Sequence, residues 1–234
     1  FKNFFRNKQF GFPKFKAKKR AKESFRLTQV NNNIRIENNK VKLGKLGLVR
    51  ITRANKVSPR LLNINYIIKS ATISKDSDQH WYASLLVECD NQTSLPLNYN
   101  IIGIDLGLKN NYVAYYNVDD EFNDVSFENP KGYAKSEKRI AKLNQRLARK
   151  VKGSNNREKA RIKLAKAYFK SKSIRKDFNH QLSNNLIKNF QMIILEDLDL
   201  DSMKANRLGK QISDLAFYQL RTFLQYKAAW YGRN

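Results

Sequence analysis

With 234 residues and 41% hydrophobic content, the chain can bury the core of one large domain or two small ones, and it has no run of about 18 apolar residues that would cross a membrane. A formal net charge of +26 sets the stronger bound, because self-repulsion on that scale opposes a compact state unless a polyanion accompanies it. The single Cys, Cys89, excludes an intrachain disulfide or a Cys-based zinc site within these residues and suits a reducing, cytoplasmic setting.

The first stretch, FKNFFRNKQFGFPKFKAKKR, interleaves aromatics with cations such as Lys14 and Lys16 and is broken by a turn at Gly11-Phe12-Pro13. Phosphates could meet the cations while bases stack on the rings. A basic membrane-surface protein would also carry such charge. Here the positive residues run through the whole chain rather than one amphipathic helix, which favours nucleic acid. From Leu27 to about Leu97 the pattern is that of strands. Ile34 with Ile36 and Val41 with Leu43 alternate between Asn and Gly turns. LLNINYIIKSATIS and HWYASLLVECD read as two longer strands joined by a turn at Lys75–Gln79, and together these suggest a small barrel or sandwich.

TSLPLNYN reads as a linker. IIGIDLG, YVAYYNV and DVSFENP then predict three strands in an antiparallel meander, the third the shortest. Residues 131–190 turn helical. Ile140, Leu143, Leu147 and Val151 follow helical spacing, ringed by Lys138, Arg139, Lys142, Arg146, Arg149 and Lys150. KGSNN breaks that helix; a second starts near Arg157 with Ile162, Leu164, Ala165, Tyr168 and Phe169 as its apolar content, and DFNHQLSNNLIKNF supplies Phe178, Leu182 and Leu186 as a core-facing stripe. QMIILEDL predicts a buried strand, parallel to its neighbour because a helical crossover precedes it. Ser213 or Asp214 can cap a last helix with Phe217, Leu220, Leu224, Ala228 and Tyr231 on one side. The expected fold class is therefore α/β with a mixed sheet.

Asp105 lies toward the carboxyl end of one strand and Glu196 at the carboxyl end of another. If the two are parallel neighbours, both acids emerge at the sheet edge where α/β proteins place ligands. Two adjacent carboxylates repel unless a cation or proton lies between them, and oxygen ligands of this kind suit Mg²⁺ or Mn²⁺. In so basic a chain, metal-assisted phosphodiester hydrolysis is the economical reading. Each acid also has a plainer use: Asp105, just ahead of Gly107, can cap a turn, and Glu196 can belong to the solvated acidic loop of Asp197, Asp199 and Asp201. His180 and His80 read as structural residues.

GIDLGLKNNYVAYYNV and MIILEDLDLDSM resemble the first and second motifs of the RuvC-like nuclease domain of TnpB (OrfB) proteins, insertion-sequence proteins related to type V CRISPR effectors. FKNFFRN with GFPKFK, NNNIRI with VKLGKLG, DFNHQLSNNLI and ISDLAFYQLRTFLQYKAAWYG are similar to further family segments in the family order, so the likeness covers essentially the whole chain. It implies the tail of a helical recognition domain over residues 1–27, a β-barrel wedge-like domain over 28–97 and an RNase H-like (RuvC) domain over 98–234, with the basic hairpin of 131–190 inserted. It also implies guide-RNA-directed cleavage of target DNA, transposon association, and Asp105 and Glu196 as catalytic metal ligands. Lys14, Lys16, Arg139, Lys142, Arg146, Arg149 and Lys150 are the candidate nucleic-acid contacts, and a cytoplasmic, nucleoid-associated protein is expected.

The family's third catalytic Asp and its zinc ribbon have no match here, which leads to the expectation of an interior fragment or truncated copy with little nuclease activity by itself. Two rivals follow. GIDLG also opens the phosphate hairpin of actin-like ATPases, although Leu108, Lys109 and Asn110 stand where small hydroxyl residues are usual there. A copy that had lost its chemistry would remain an RNA- or DNA-binding protein.

Overall fold

The computed structural model describes residues 2–12, 14, 23–37, 39–51, 66–89, 94–105, 112–118, 121–128, 130–197 and 216–233. They fall into two compact units, Phe1–Asp90 and Asn91–Asn234. No described helix is long and apolar enough to cross a membrane.

The first unit opens with a short helix α1 (Lys2–Arg6) and a 3-10 turn at Lys8–Phe10. Among the described residues six strands follow: β1 (Ser24–Thr28), β2 (Ile34–Glu37), β3 (Lys40–Leu43), β4 (Leu48–Arg50), β5 (Tyr66–Lys75) and β6 (Trp81–Cys89). They form two antiparallel three-stranded sheets, β1-β5-β6 and β2-β3-β4. Alternation, with a register shift in β5 between Ile68 and Ser70, puts Ile34, Val41 and Leu43 of one sheet and Ile68, Ala71 and Ile73 of the other into one buried cluster. Asn31, Asn32 and Asn39 take the left-handed backbone that the tight turns need, a conformation Asn tolerates better than most residues. At the β5–β6 turn the buried Asp78 carboxylate holds the His80 ring (2.6 Å) and backbone amide. Burial pushes its pKa up, but the hydrogen bonds from His80 and Tyr82 outweigh that and hold it below the ordinary 3.8.

The second unit is built on a four-stranded sheet with the order β10-β7-β8-β9. Its strands are β7 (Ile101–Asp105), β8 (Tyr112–Val118), β9 (Glu121–Phe127) and β10 (Met192–Leu195). β7, β8 and β9 form the expected antiparallel meander, and β10 lies parallel to β7. Between β9 and β10 run α2 (Gly132–Ala148) and α3 (Asn155–Asn189), the latter about 50 Å long at the α-helical rise. The last helix, α4 (Phe217–Tyr231), ends on Gly232 in left-handed backbone, which closes the helix by donating to Ala228. Ile102 and Ile104 of β7, Leu182, Leu186 and Ile187 of α3, and Phe217, Leu220 and Leu224 of α4 make the core, with Ile193 and Leu195 of β10 packed against it. A smaller cluster of Ile140, Leu164 and Ala167 joins α2 to α3. Gly132 lets that pair start close together, since a Cβ there would stand 3.1 Å from the Ser171 carbonyl oxygen.

Several local expectations are revised. Val151, expected on the inner stripe of the first basic helix, is 76% exposed, because α2 ends at Ala148 and Gly153 (φ 85) turns the chain back. α3 begins two residues earlier than Arg157, capped by the Ser154 hydroxyl, which accepts the Arg157 amide. β9 starts at Glu121 and is as long as β8. Ser213 and Asp214, expected to cap α4, lie outside the described residues; at its described start Ala216 takes left-handed backbone and its carbonyl accepts from the buried Asn179 side chain. The strand segment 61–65 also lies outside them. β1 runs Ser24–Thr28, and the first compact unit extends to Asp90.

Candidate active site

β7 and β10 are in register from Ile101 opposite Met192 to Ile104 opposite Leu195, so the next residues in line are Asp105 and Glu196. The alternation that sends Ile102, Ile104, Ile193 and Leu195 to the helix-covered face sends Asp105 and Glu196 the other way. Both acids are exposed and close enough for their carboxyls to hydrogen-bond. The Asp105 charge raises the Glu196 pKa above the ordinary 4.5, with desolvation and the hydrogen bond from its neighbour adding to the rise. The pair is thus an electrostatic liability that a shared proton or a cation relieves. Among the described residues no group of three or more His, Cys, Asp or Glu could hold a metal ion. Mg²⁺ is commonly held by one or two carboxylates plus water and substrate phosphates, so these two oxygen donors fit such an ion.

Asp197, expected in the solvated loop, is 88% exposed and pairs with Arg221 of α4 across 2.8 Å. Asp199 and Asp201 lie outside the described residues. His180, on α3, stacks on Phe223 of α4 at 3.9 Å between centroids, in keeping with the structural reading. Its burial, and then the Lys227 and Lys176 ammonium groups, lower its pKa below the ordinary 6.5 against the opposing pull of Asp177.

The second feature is a groove of about 620 Å³ between α2 and α3, floored by Leu143 and lined by Lys138, Arg139, Lys142, Arg146, Lys163 and Lys166. None of the lining residues is acidic, and among the described residues none of the six cations pairs with a carboxylate. Lys138, Lys142 and Arg146 recur every four residues on α2, about 6 Å apart along the axis. Three of the expected nucleic-acid contacts, Arg139, Lys142 and Arg146, line the groove. Arg149 and Lys150 do not: they sit exposed in the turn after α2, where Arg157 holds the Lys150 and Leu147 carbonyls. Lys14 is exposed in the first unit, and Lys16 lies outside the described residues. Lys163 and Lys166 line the groove too and were not singled out from sequence; they flank the buried Leu164 on α3, and the flanks of that apolar position were the available signal.

Residues 84–207, more than half of the chain and including both acids, match the OrfB_IS605 family, described as "Probable transposase". The chain belongs to that family. An OrfB_IS605 assignment agrees with the relatives found across the full chain. A "Putative RNA-guided DNA endonuclease" of Streptomyces pristinaespiralis is 32% identical over 235 residues, spanning 100% of this chain and 55% of the relative. The "Putative RNA-guided DNA endonuclease InsQ" of Escherichia coli K12 is 29% identical over 248 residues, spanning 99% of this chain and 57% of the relative. The "TnpB-like protein L79" of Acanthamoeba polyphaga mimivirus is 25% identical, spanning 72% and 34%. The chain therefore covers about half the length of the first two relatives. Among solved structures, a Cas12f1–sgRNA–target DNA complex gives a TM-score of 0.49 at 19% identity, over 72% of this chain and 35% of that one.

Proposed function

We propose that the protein is a metal-dependent, RNA-guided DNA endonuclease whose hydrolytic centre is built on Asp105 and Glu196. The observation that carries the reading is the parallel register of β7 and β10, which aligns these two acids on the face of the sheet away from its helices. The named relatives support the same class of activity. Asp105 and Glu196 would hold Mg²⁺ or Mn²⁺, and the bound ion would activate water and neutralise charge at the scissile phosphate. The mixed sheet with its parallel strand and helical hairpin is read as an RNase H-like (RuvC) domain, and the two sheets of the first unit as its wedge.

Guide RNA and target DNA are the proposed partners, with the α2–α3 groove taking the sugar-phosphate backbone. Its six cations carry no sequence information; they fix register and orientation, while base pairing with the guide supplies specificity. Among the described residues two carboxylates are aligned here, and the 234 residues alone are proposed to bind nucleic acid and a divalent ion but to cleave weakly or not at all. Magnesium-dependent nicking by the purified chain, lost in Asp105→Ala, would overturn that last point. The reading as a whole is tested by cleavage of a guide-matched DNA by the complete protein with its guide RNA: Asp105→Ala and Glu196→Ala should each abolish it. Retention of cleavage in both would remove the pair from the chemistry and favour a binding function for the groove.

A further inference from the structure

We infer that Arg221 is a positioning residue for the carboxylate pair, acting through Asp197; the inference rests on the metal-site reading above. Arg221 follows Leu220, which is fully buried against the sheet, so its starting point on α4 is fixed by the core. From there its Nη1 donates to Asp197 Oδ1 at 2.8 Å, a contact spanning 24 residues. Asp197 directly follows Glu196, and Glu196 lies one residue beyond the last registered pair, Leu195 with Ile104. The carboxylate that meets Asp105 is thus held from one side by the ladder and from the other by this ion pair.

The pleat explains what the tether does. Successive side chains of an extended chain point to opposite faces. Leu195 faces the helices, where it packs on the core; Glu196 faces away; Asp197 returns to the helix side, where Arg221 reaches it. Fixing Asp197 on the α4 side therefore fixes Glu196 on the opposite side, where Asp105 lies. It also keeps a third negative charge from swinging onto the pair. The side chains are 42% and 88% exposed, and exposed ion pairs contribute little to global stability, so the pair's effect should fall on the site rather than on folding.

The test is Mn²⁺ affinity of the 234-residue chain, followed by electron paramagnetic resonance, with the melting temperature measured in parallel. Arg221→Ala and Asp197→Asn should each weaken Mn²⁺ binding about tenfold, the lower end of what loss of an outer partner costs a metal site, with the melting temperature unchanged. Arg221→Lys, which keeps the charge within reach of Asp197, should recover most of the loss, and the double variant should be no weaker than either single one. Unchanged affinity in either folded single variant overturns the inference. So does tighter binding in Arg221→Ala, which would mean that a freed Asp197 becomes a ligand, and so does additive loss in the double variant, which would mean that Asp197 acts through its own charge. A wild-type chain whose Mn²⁺ signal survives Asp105→Ala would overturn the metal reading itself, and this inference with it.

Discussion

Two regions of the second unit carry opposite electrostatic problems. At the carboxyl edge of β7 and β10, Asp105 raises the proton affinity of Glu196, so the pair calls for a cation. Between α2 and α3, six cations line one groove without an acid among them, so the groove calls for an anion. On the proposed reading, a metal ion and a nucleic-acid backbone would resolve both together. The two regions also differ in construction. The acids are placed by the backbone register of the strands they follow, with the Asp197–Arg221 pair beside Glu196, whereas the cations are long side chains on a helical surface and act as a field rather than as a fixed geometry.

The largest effect should come from the acids. In the complete protein with its guide, Asp105→Ala should lower the DNA cleavage rate by more than the roughly 100-fold that loss of an outer-shell partner can cost, while binding of nucleic acid to the groove is kept. Next, Leu220→Ala should destabilise the second unit by about 2–5 kcal/mol in a denaturant melt, because it opens a cavity where α4 meets the sheet. Replacing Lys142, Arg146 and Lys166 by Ala together should weaken RNA binding and flatten its salt dependence by about 0.7–0.9 in log–log slope for each phosphate that is no longer neutralised. Arg149→Ala with Lys150→Ala should do less, and an equal effect would show that the groove is not the binding surface.

The smallest effects are those of pH. Glu196, raised above its ordinary 4.5 by Asp105, must give up its proton before it can ligate, so Mn²⁺ affinity should fall as the pH drops through that raised value, with proton uptake matching the loss. Asp105→Asn, which removes the largest cause, should reduce the shift. His180 works on stability instead. Its folded pKa lies below the ordinary 6.5, so the unfolded chain takes the proton first. Its contribution is therefore fully present above about 6.5 and is lost as the pH falls from there toward the folded value. Thermal melts of wild type and His180→Gln should converge only in the acid range.

The acid pair was readable from sequence because two short-range rules combine there. Apolar alternation identified the strands, and the helical crossover before MIIL made β10 parallel to β7, which leaves little freedom in where Asp105 and Glu196 emerge. The groove was only half readable. Helical spacing on α2 pointed to Arg139, Lys142 and Arg146, but the contribution of α3 depends on how the two helices are phased. Gly132 and the Ser154 cap set that phasing through interactions distant in sequence or at the turn itself. Val151 failed for the related reason that periodicity does not register where a helix stops. Arg221 and Asp197 were unreadable as partners, because nothing local in sequence brings α4 to the end of β10.

The most direct test of the central claim is a crystal of the 234-residue chain soaked in Mn²⁺, with the ion located by its anomalous scattering. The account predicts a peak at the carboxylates of Asp105 and Glu196, absent in Asp105→Ala. Mn²⁺ bound elsewhere, with no peak at the two acids, would contradict it.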